Sequence, residues 1–327
     1  MKYTFVVIQT ILFLFAIGNY AVIADVPNFF SSNGITVQSV HKVENEVYDV
    51  MVTTGQARGV HKIRILFPLD YMTSGPNRRY PVLYLLHGGM GGADDWTAKG
   101  GTARWTVGKL PLITVMPNGD KFGWYTNWVN PGAAAPQNWR TFHNEQLVPW
   151  IDANLRTVAK KEGRAIAGLS MGGFGAIRYA EVYPHLYNYA ASFSGALDLL
   201  DWRTQTVILG SETIDKKPLD GPFGGPYLPT TSAGWFAQNP ITHAAKLRGV
   251  HVAIYTGNDG VMEMAMRDAA IRMHGALNNA KIPHHYNDYG NGKSIGHGCP
   301  GRHEFACWNA ALIDVAPRMM AVLEQKH

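Results

Sequence analysis

The pentapeptide Gly168-Leu169-Ser170-Met171-Gly172 constrains this chain more than any other stretch, because of what stands on either side of it. Ahead of it, Arg164-Ala-Ile-Ala-Gly is apolar enough for a buried strand. Behind it, Gly172-Gly-Phe-Gly-Ala-Ile-Arg-Tyr-Ala-Glu-Val-Tyr reads as a helix that ends before Pro184. A strand that turns sharply into a helix holds Ser170 at a strained bend, where side chains at the flanking glycines would collide with neighbouring backbone. This is the G-x-S-x-G setting that presents a nucleophilic serine at the end of a sheet. The competing reading is a Gly-rich connection that cradles a phosphate.

Apolar runs alternate with helical patterns along the rest of the chain. Strands are expected at residues 60–67, 81–86, 112–116, 189–193, 250–255 and 284–289, and helices at 142–156, 263–278 and 305–323. That alternation predicts an α/β fold: a mostly parallel sheet with helices on both faces. The pattern breaks between about residues 197 and 247. Lys217-Pro-Leu-Asp-Gly-Pro-Phe-Gly-Gly-Pro-Tyr-Leu-Pro is too rich in Pro and Gly for regular structure, so an irregular, cap-like insertion is expected there.

The first 24 residues carry one charge, Lys2, and residues 5–17 are almost unbroken apolar sequence. Val22-Ile23-Ala24 then offers the small residues that a signal peptidase reads. A secretory signal cleaved after Ala24 is expected, with an uncleaved anchor as the alternative; residues 25–327 then form one domain. No later segment is long and apolar enough to span a bilayer. In an exported protein, Cys299 and Cys307 would close a short disulfide loop around Gly301-Arg302-His303. His297, Cys299, His303 and Cys307 could also offer metal ligands. Their spacing departs from C-x-x-C pairs, so no metal is expected. The net charge of +5 is scattered, which argues against nucleic-acid binding.

A serine hydroxyl is a weak nucleophile until a base takes its proton. With the order Ser, acid, His, the base belongs near the C-terminus. His303, directly before the last helix, is the first choice and His297 the alternative. His284 and His285 lie within a strand and are expected to be packed or solvated. For the acid, Asp259 in the turn Thr256-Gly-Asn-Asp-Gly and Glu263 at the start of the next helix both have suitable spacing. Two backbone N–H groups should face the developing oxyanion. One is expected from Met171. The other is expected from the loop His87-Gly88-Gly89, with Gly89 N–H ahead of Met90.

Gly168-Leu-Ser-Met-Gly-Gly, Trp124-Tyr-Thr-Asn-Trp, Trp139-Arg-Thr-Phe-His-Asn-Glu-Gln-Leu-Val-Pro-Trp, Trp235-Phe-Ala-Gln-Asn-Pro and Gly301-Arg-His-Glu-Phe-Ala-Cys-Trp together resemble segments of the antigen 85 mycolyltransferases and the wider esterase D-like group of α/β-hydrolases. The resemblance runs from about Tyr80 to the last helix. It implies an α/β-hydrolase fold and ranks Glu263 ahead of Asp259. It also implies a secreted or cell-envelope serine acyltransferase or esterase that needs no cofactor. Its partners would be an acyl-ester donor and a sugar, glycerol or water acceptor. Two departures touch the substrate. His87-Gly88 stands where mycolyltransferases have an acidic residue and Gly, and Gly89-Met90-Gly91-Gly92 lacks their following arginine. These move the expectation toward a general carboxylesterase. A secreted binding protein without activity is the remaining alternative.

Overall fold

The computed structural model describes residues 27–98, 100–225 and 232–325; the expected signal segment and part of the Pro/Gly-rich stretch lie outside them. Nine strands form one sheet: β1 (Ile35–Glu44), β2 (Val47–Thr54), β3 (His61–Leu66), β4 (Val82–Leu86), β5 (Ile113–Pro117), β6 (Arg164–Leu169), β7 (Tyr189–Phe193), β8 (His251–Gly257) and β9 (His284–Gly290). Their order is β1-β2-β3-β5-β4-β6-β7-β8-β9. The first three pair antiparallel and β3 meets β5 antiparallel. From β5 to β9 every pairing is parallel. β1 and β2 lie ahead of the first strand expected from the apolar runs and extend the sheet by an antiparallel hairpin.

The helices are α1 (Trp139–Thr141), α2 (Val148–Asn154), α3 (Met171–Val182), α4 (Trp202–Ile214), α5 (Ala233–Gln238), α6 (Pro240–His243), α7 (Val261–Asn279) and α8 (Phe305–Met320). Alternate residues of each central strand feed two cores, as a strand's period of two requires. Val82, Tyr84, Leu86, Ile166 and Ile254 pack with Trp150 of α2, Phe174 and Ile177 of α3, and Met266 and Met273 of α7. Leu83, Leu85, Ala165, Ala167 and Tyr255 pack on the other face with Leu312 and Val315 of α8. Helices therefore cover both faces.

Two expectations need correction. The helix at residues 142–156 is interrupted: Phe142–Leu147 is a π-helical turn, in which Val148 N–H reaches back to His143 O. Pro149 has no N–H to continue the ordinary ladder. The insertion is also less irregular than expected, since it contains the 13-residue α4. Asp201 caps that helix by accepting from Arg203 N–H. Its buried positions are Thr204, Ile208, Ser211 and Glu212, so no apolar stripe advertises it. Ile208, Phe223 and Trp235 anchor the insertion in the core that also holds α3. Asn130 N–H and Nδ2 reach Gly221 O and Asp220, joining the insertion to the loop after β5.

The strand order also locates the site. The chain leaves β4 for β5 on one side and later returns to β6 on the other, so β4 and β6 flank a switch point. Crevices at the carboxyl ends of such strands are where α/β sheets place ligands. Leu86 of β4 pairs with Gly168 of β6, so the loops beginning at His87 and Ser170 emerge side by side.

Candidate active site

Ser170 sits between β6 and α3 at φ 53° and ψ −119°, a region costly for a residue with a Cβ. Its neighbours make the bend possible. A Cβ on Gly168 would stand 2.3 Å from Gly172 O, and one on Gly172 would stand 2.5 Å from His87 O. Ser170 N–H is held by Phe193 O at 2.9 Å.

Ser170 Oγ lies 2.9 Å from His303 Nε2, and His303 Nδ1 lies 2.8 Å from Glu263 Oε2. A carboxylate only accepts, so the imidazole proton belongs on Nδ1 and the Nε2 lone pair faces the serine hydroxyl. Glu263 is fully buried in the first turn of α7. Its other oxygen, Oε1, accepts from Gly257 N–H at 2.7 Å, Ser194 Oγ at 2.8 Å and Thr256 Oγ1 at 3.2 Å. Burial alone would favour the neutral acid. The hydrogen bond and charge of His303, the Gly257 amide and the Ser194 hydroxyl outweigh it and hold the carboxyl below its ordinary pKa.

The loop of His303 is tied at both ends. Cys299 and Cys307 are disulfide-bonded and bracket it, so neither sulfur is a thiolate that could bind metal. Among the described residues, no group of three or more His, Cys, Asp or Glu side chains is arranged to hold a metal ion. Trp308, one turn into α8, meets the His303 ring edge to face at 5.0 Å and donates from Nε1 to Ser194 Oγ at 3.3 Å. Ser194, Thr256, Gly257 and Trp308 are supports the sequence reading did not single out. Ser194 and the Thr256-Gly257 pair do carry a signal: Ser194 directly follows β7, and Thr256-Gly257 ends β8, the next two strands beyond β6 in the sheet.

The two alternatives fall outside this line. Asp259 pairs with Arg302 at 2.6 Å on the surface, and its N–H donates to Gly301 O. His297 is exposed at φ 55° and contacts neither Ser170 nor Glu263. His284 and His285 are likewise engaged elsewhere, with His274 and near Asp314.

Met171 opens α3, where a first-turn N–H has no intrahelical acceptor and the helix dipole is positive. Across from it, a Cβ on Gly88 would lie 3.4 Å from Ser170 Cβ. Gly89 N–H takes no hydrogen bond among the described residues. Met90 N–H, the second choice, is spent on Lys121 O at 2.8 Å.

The chain resembles several known proteins. The sequence model of the Esterase family matches residues 57–319. The chain is 37% identical over 262 residues to esterase Rv1288 of Mycobacterium tuberculosis, covering 74% of this chain and 52% of that one. It thus spans about half the length of that curated relative. It is 27% identical over 266 residues to the diacylglycerol acyltransferase/mycolyltransferase Ag85B of Mycobacterium leprae, covering 74% and 76%. In fold it resembles Mycobacterium tuberculosis MPT51, with a TM-score of 0.66 at 21% identity over 88% of this chain and 100% of that one. An S-formylglutathione hydrolase from Agrobacterium tumefaciens also superposes with a TM-score of 0.66, at 16% identity over 88% and 99%. The fold is that of the α/β-hydrolases, and with its family's model matched over residues 57–319 the chain belongs to the Esterase family.

Proposed function

We propose that the protein is a secreted serine esterase or acyltransferase working through a Ser170 acyl-enzyme. His303 Nε2 takes the hydroxyl proton as Ser170 Oγ bonds to the ester carbonyl carbon. Glu263 keeps the imidazole in its Nδ1–H tautomer and stabilises the imidazolium. The Gly89 and Met171 amides receive the oxyanion. On collapse, the carbon–oxygen bond to the leaving alcohol breaks and His303 returns the proton to that alcohol. A second hydroxyl, from water or from a sugar or glycerol, then gives its proton to His303 as its oxygen bonds to the acyl carbon; the bond from that carbon to Ser170 Oγ breaks and His303 returns the proton to Ser170.

The observation that carries this reading is the unbroken line from Ser170 Oγ through His303 to a buried Glu263 whose second oxygen has three donors. The names of the relatives, esterase and acyltransferase, agree with both acceptors. Export fits the apolar N-terminal run and a disulfide kept in an oxidising compartment, with the cell envelope a natural place to meet the acyl donor. The test is turnover of p-nitrophenyl esters of graded chain length, with and without glycerol or trehalose. Labelling by a fluorophosphonate is followed in parallel. Ser170→Ala should lose both turnover and labelling; retention of either by that variant overturns the reading. The ratio of new ester to free acid identifies the acceptor.

A further inference from the structure

The loop facing Ser170 contains a side chain that the mechanism above does not use. His87, directly after β4, is 1% exposed, and both ring nitrogens and its carbonyl oxygen are engaged. Gly119 N–H points at Nε2 from 2.8 Å. An amide can only donate, so Nε2 carries the lone pair and the neutral ring's proton is on Nδ1. Nδ1 lies 2.7 Å from Gly88 O, which therefore accepts from it. His87 O in turn accepts from the Tyr125 hydroxyl at 3.0 Å. Burial lowers the pKa of the ring, against the Gly88 carbonyl and the carboxylates of Asp95, Asp120 and Asp94, which favour the charged form.

Gly88 C=O and Gly89 N–H belong to one peptide plane and point in opposite directions in the trans form. Fixing the carbonyl oxygen therefore fixes the direction of the amide. Between two glycines little else does so, because their φ and ψ are the softest in the chain. Among the described residues, the other hold on Gly88 O is Gly91 N–H, at a longer 3.2 Å. We propose that His87 is a positioning residue for the oxyanion site: its Nδ1–H locks the Gly88–Gly89 peptide so that Gly89 N–H stays aimed at the reacting carbonyl. This rests on the functional reading given above and assigns a role to the residue where the chain departs from mycolyltransferases.

The two ring nitrogens can be tested separately. In His87→Asn, the side-chain amide can still donate to Gly88 O but no longer reaches Gly119. In His87→Gln, the longer side chain can accept from Gly119 N–H but abandons Gly88 O. His87→Gln should lose about 10- to 100-fold in kcat at nearly constant KM, somewhat less than outright removal of an oxyanion donor. Its affinity for an alkyl boronic acid should fall in parallel. His87→Asn should stay within about fivefold of the parent on both measures, since it keeps the bond to Gly88 O. A merely structural residue would lower the melting temperature of both variants while leaving the ratio of boronate affinity to KM unchanged.

Equal losses in the two variants, or an unchanged ratio in His87→Gln, overturn the inference while leaving Ser170 chemistry intact. Absence of ester turnover in the parent overturns the functional reading instead. A measurement on the unaltered protein guards against variants that fail to fold. With 15N-labelled histidine, His87 must show the Nδ1-protonated neutral tautomer; an Nε2-protonated ring overturns the inference.

Discussion

Glu263 and Asp259 stand four residues apart, and their surroundings set them opposite tasks. Asp259 is half-exposed and engaged with Arg302, whereas Glu263 is buried against His303. Glu263→Gln keeps the shape but removes the charge that stabilises an imidazolium, and it allows the wrong tautomer. A fall of about 10³-fold or more in kcat is expected, read from ester turnover. Asp259→Asn should change kcat by less than about threefold, because only a surface ion pair is lost. A large loss in Asp259→Asn with little in Glu263→Gln would reverse the assignment. Ser194 belongs to the same scale. It donates to Glu263 and accepts from Trp308 while sitting at φ 49°, so one hydroxyl links α7, α8 and β7.

The strand–turn–helix unit at Ser170 depends on close backbone approach. Gly172→Ala would place a Cβ within 2.5–2.9 Å of His87 O and of Leu86 O and C, all backbone atoms that cannot swing aside. A loss of several kcal/mol, or failure to accumulate folded protein, is expected in thermal unfolding. The disulfide loop is the second such element. Its closure contributes about 2–3 kcal/mol by restricting the unfolded chain. Replacing both cysteines by serine should lower the melting temperature and reduce kcat more than it raises KM, because the loop carries His303 between Gly301 and α8. An unchanged kcat would show that α8 alone holds the histidine.

Across the whole molecule, buried ionisable groups pull stability in two directions. Burial lowers the pKa values of His61, His87 and His143, that of His143 to about 3. These rings are neutral in the folded state and bind fewer protons than the unfolded chain, so their contribution is whole above about pH 6.5 and is lost as pH falls below it. For His143 alone this amounts to about 2 kcal/mol by pH 5. Glu212 acts in the opposite sense: burial pushes its carboxyl up to about 8, and Oε2 has no hydrogen-bond partner. Its raised pKa favours the folded state at low pH, and that contribution is lost as pH rises from about 4.5 to 8. Stability should therefore peak near pH 6. Melting temperature against pH should show a shallower acid slope in His143→Gln and a shallower alkaline slope in Glu212→Gln, the remainder belonging to the other buried histidines and to Glu181, also pushed up to about 8 by burial; unchanged slopes would remove these groups as the cause.

The sequence by itself was enough for the parallel sheet, the bend at Ser170, the helix that follows it and the small set from which its partners come. These follow from local rules: strand and helix periods, glycine at a forbidden turn, and chain order around a serine. Local rules did not find α4, whose buried face is polar, or the break that Pro149 makes in the helix before it. Tertiary structure decided which acid and which histidine meet Ser170, because that choice depends on three strands ending side by side. Asp259 and Glu263 are both near enough along the chain. Only the packing of α7 against β8 turns one toward His303 and gives it three donors, while Arg302 draws the other to the surface. The role assigned to His87 likewise could not be read from the chain order, since it depends on Gly119, thirty-two residues away, arriving beside its ring.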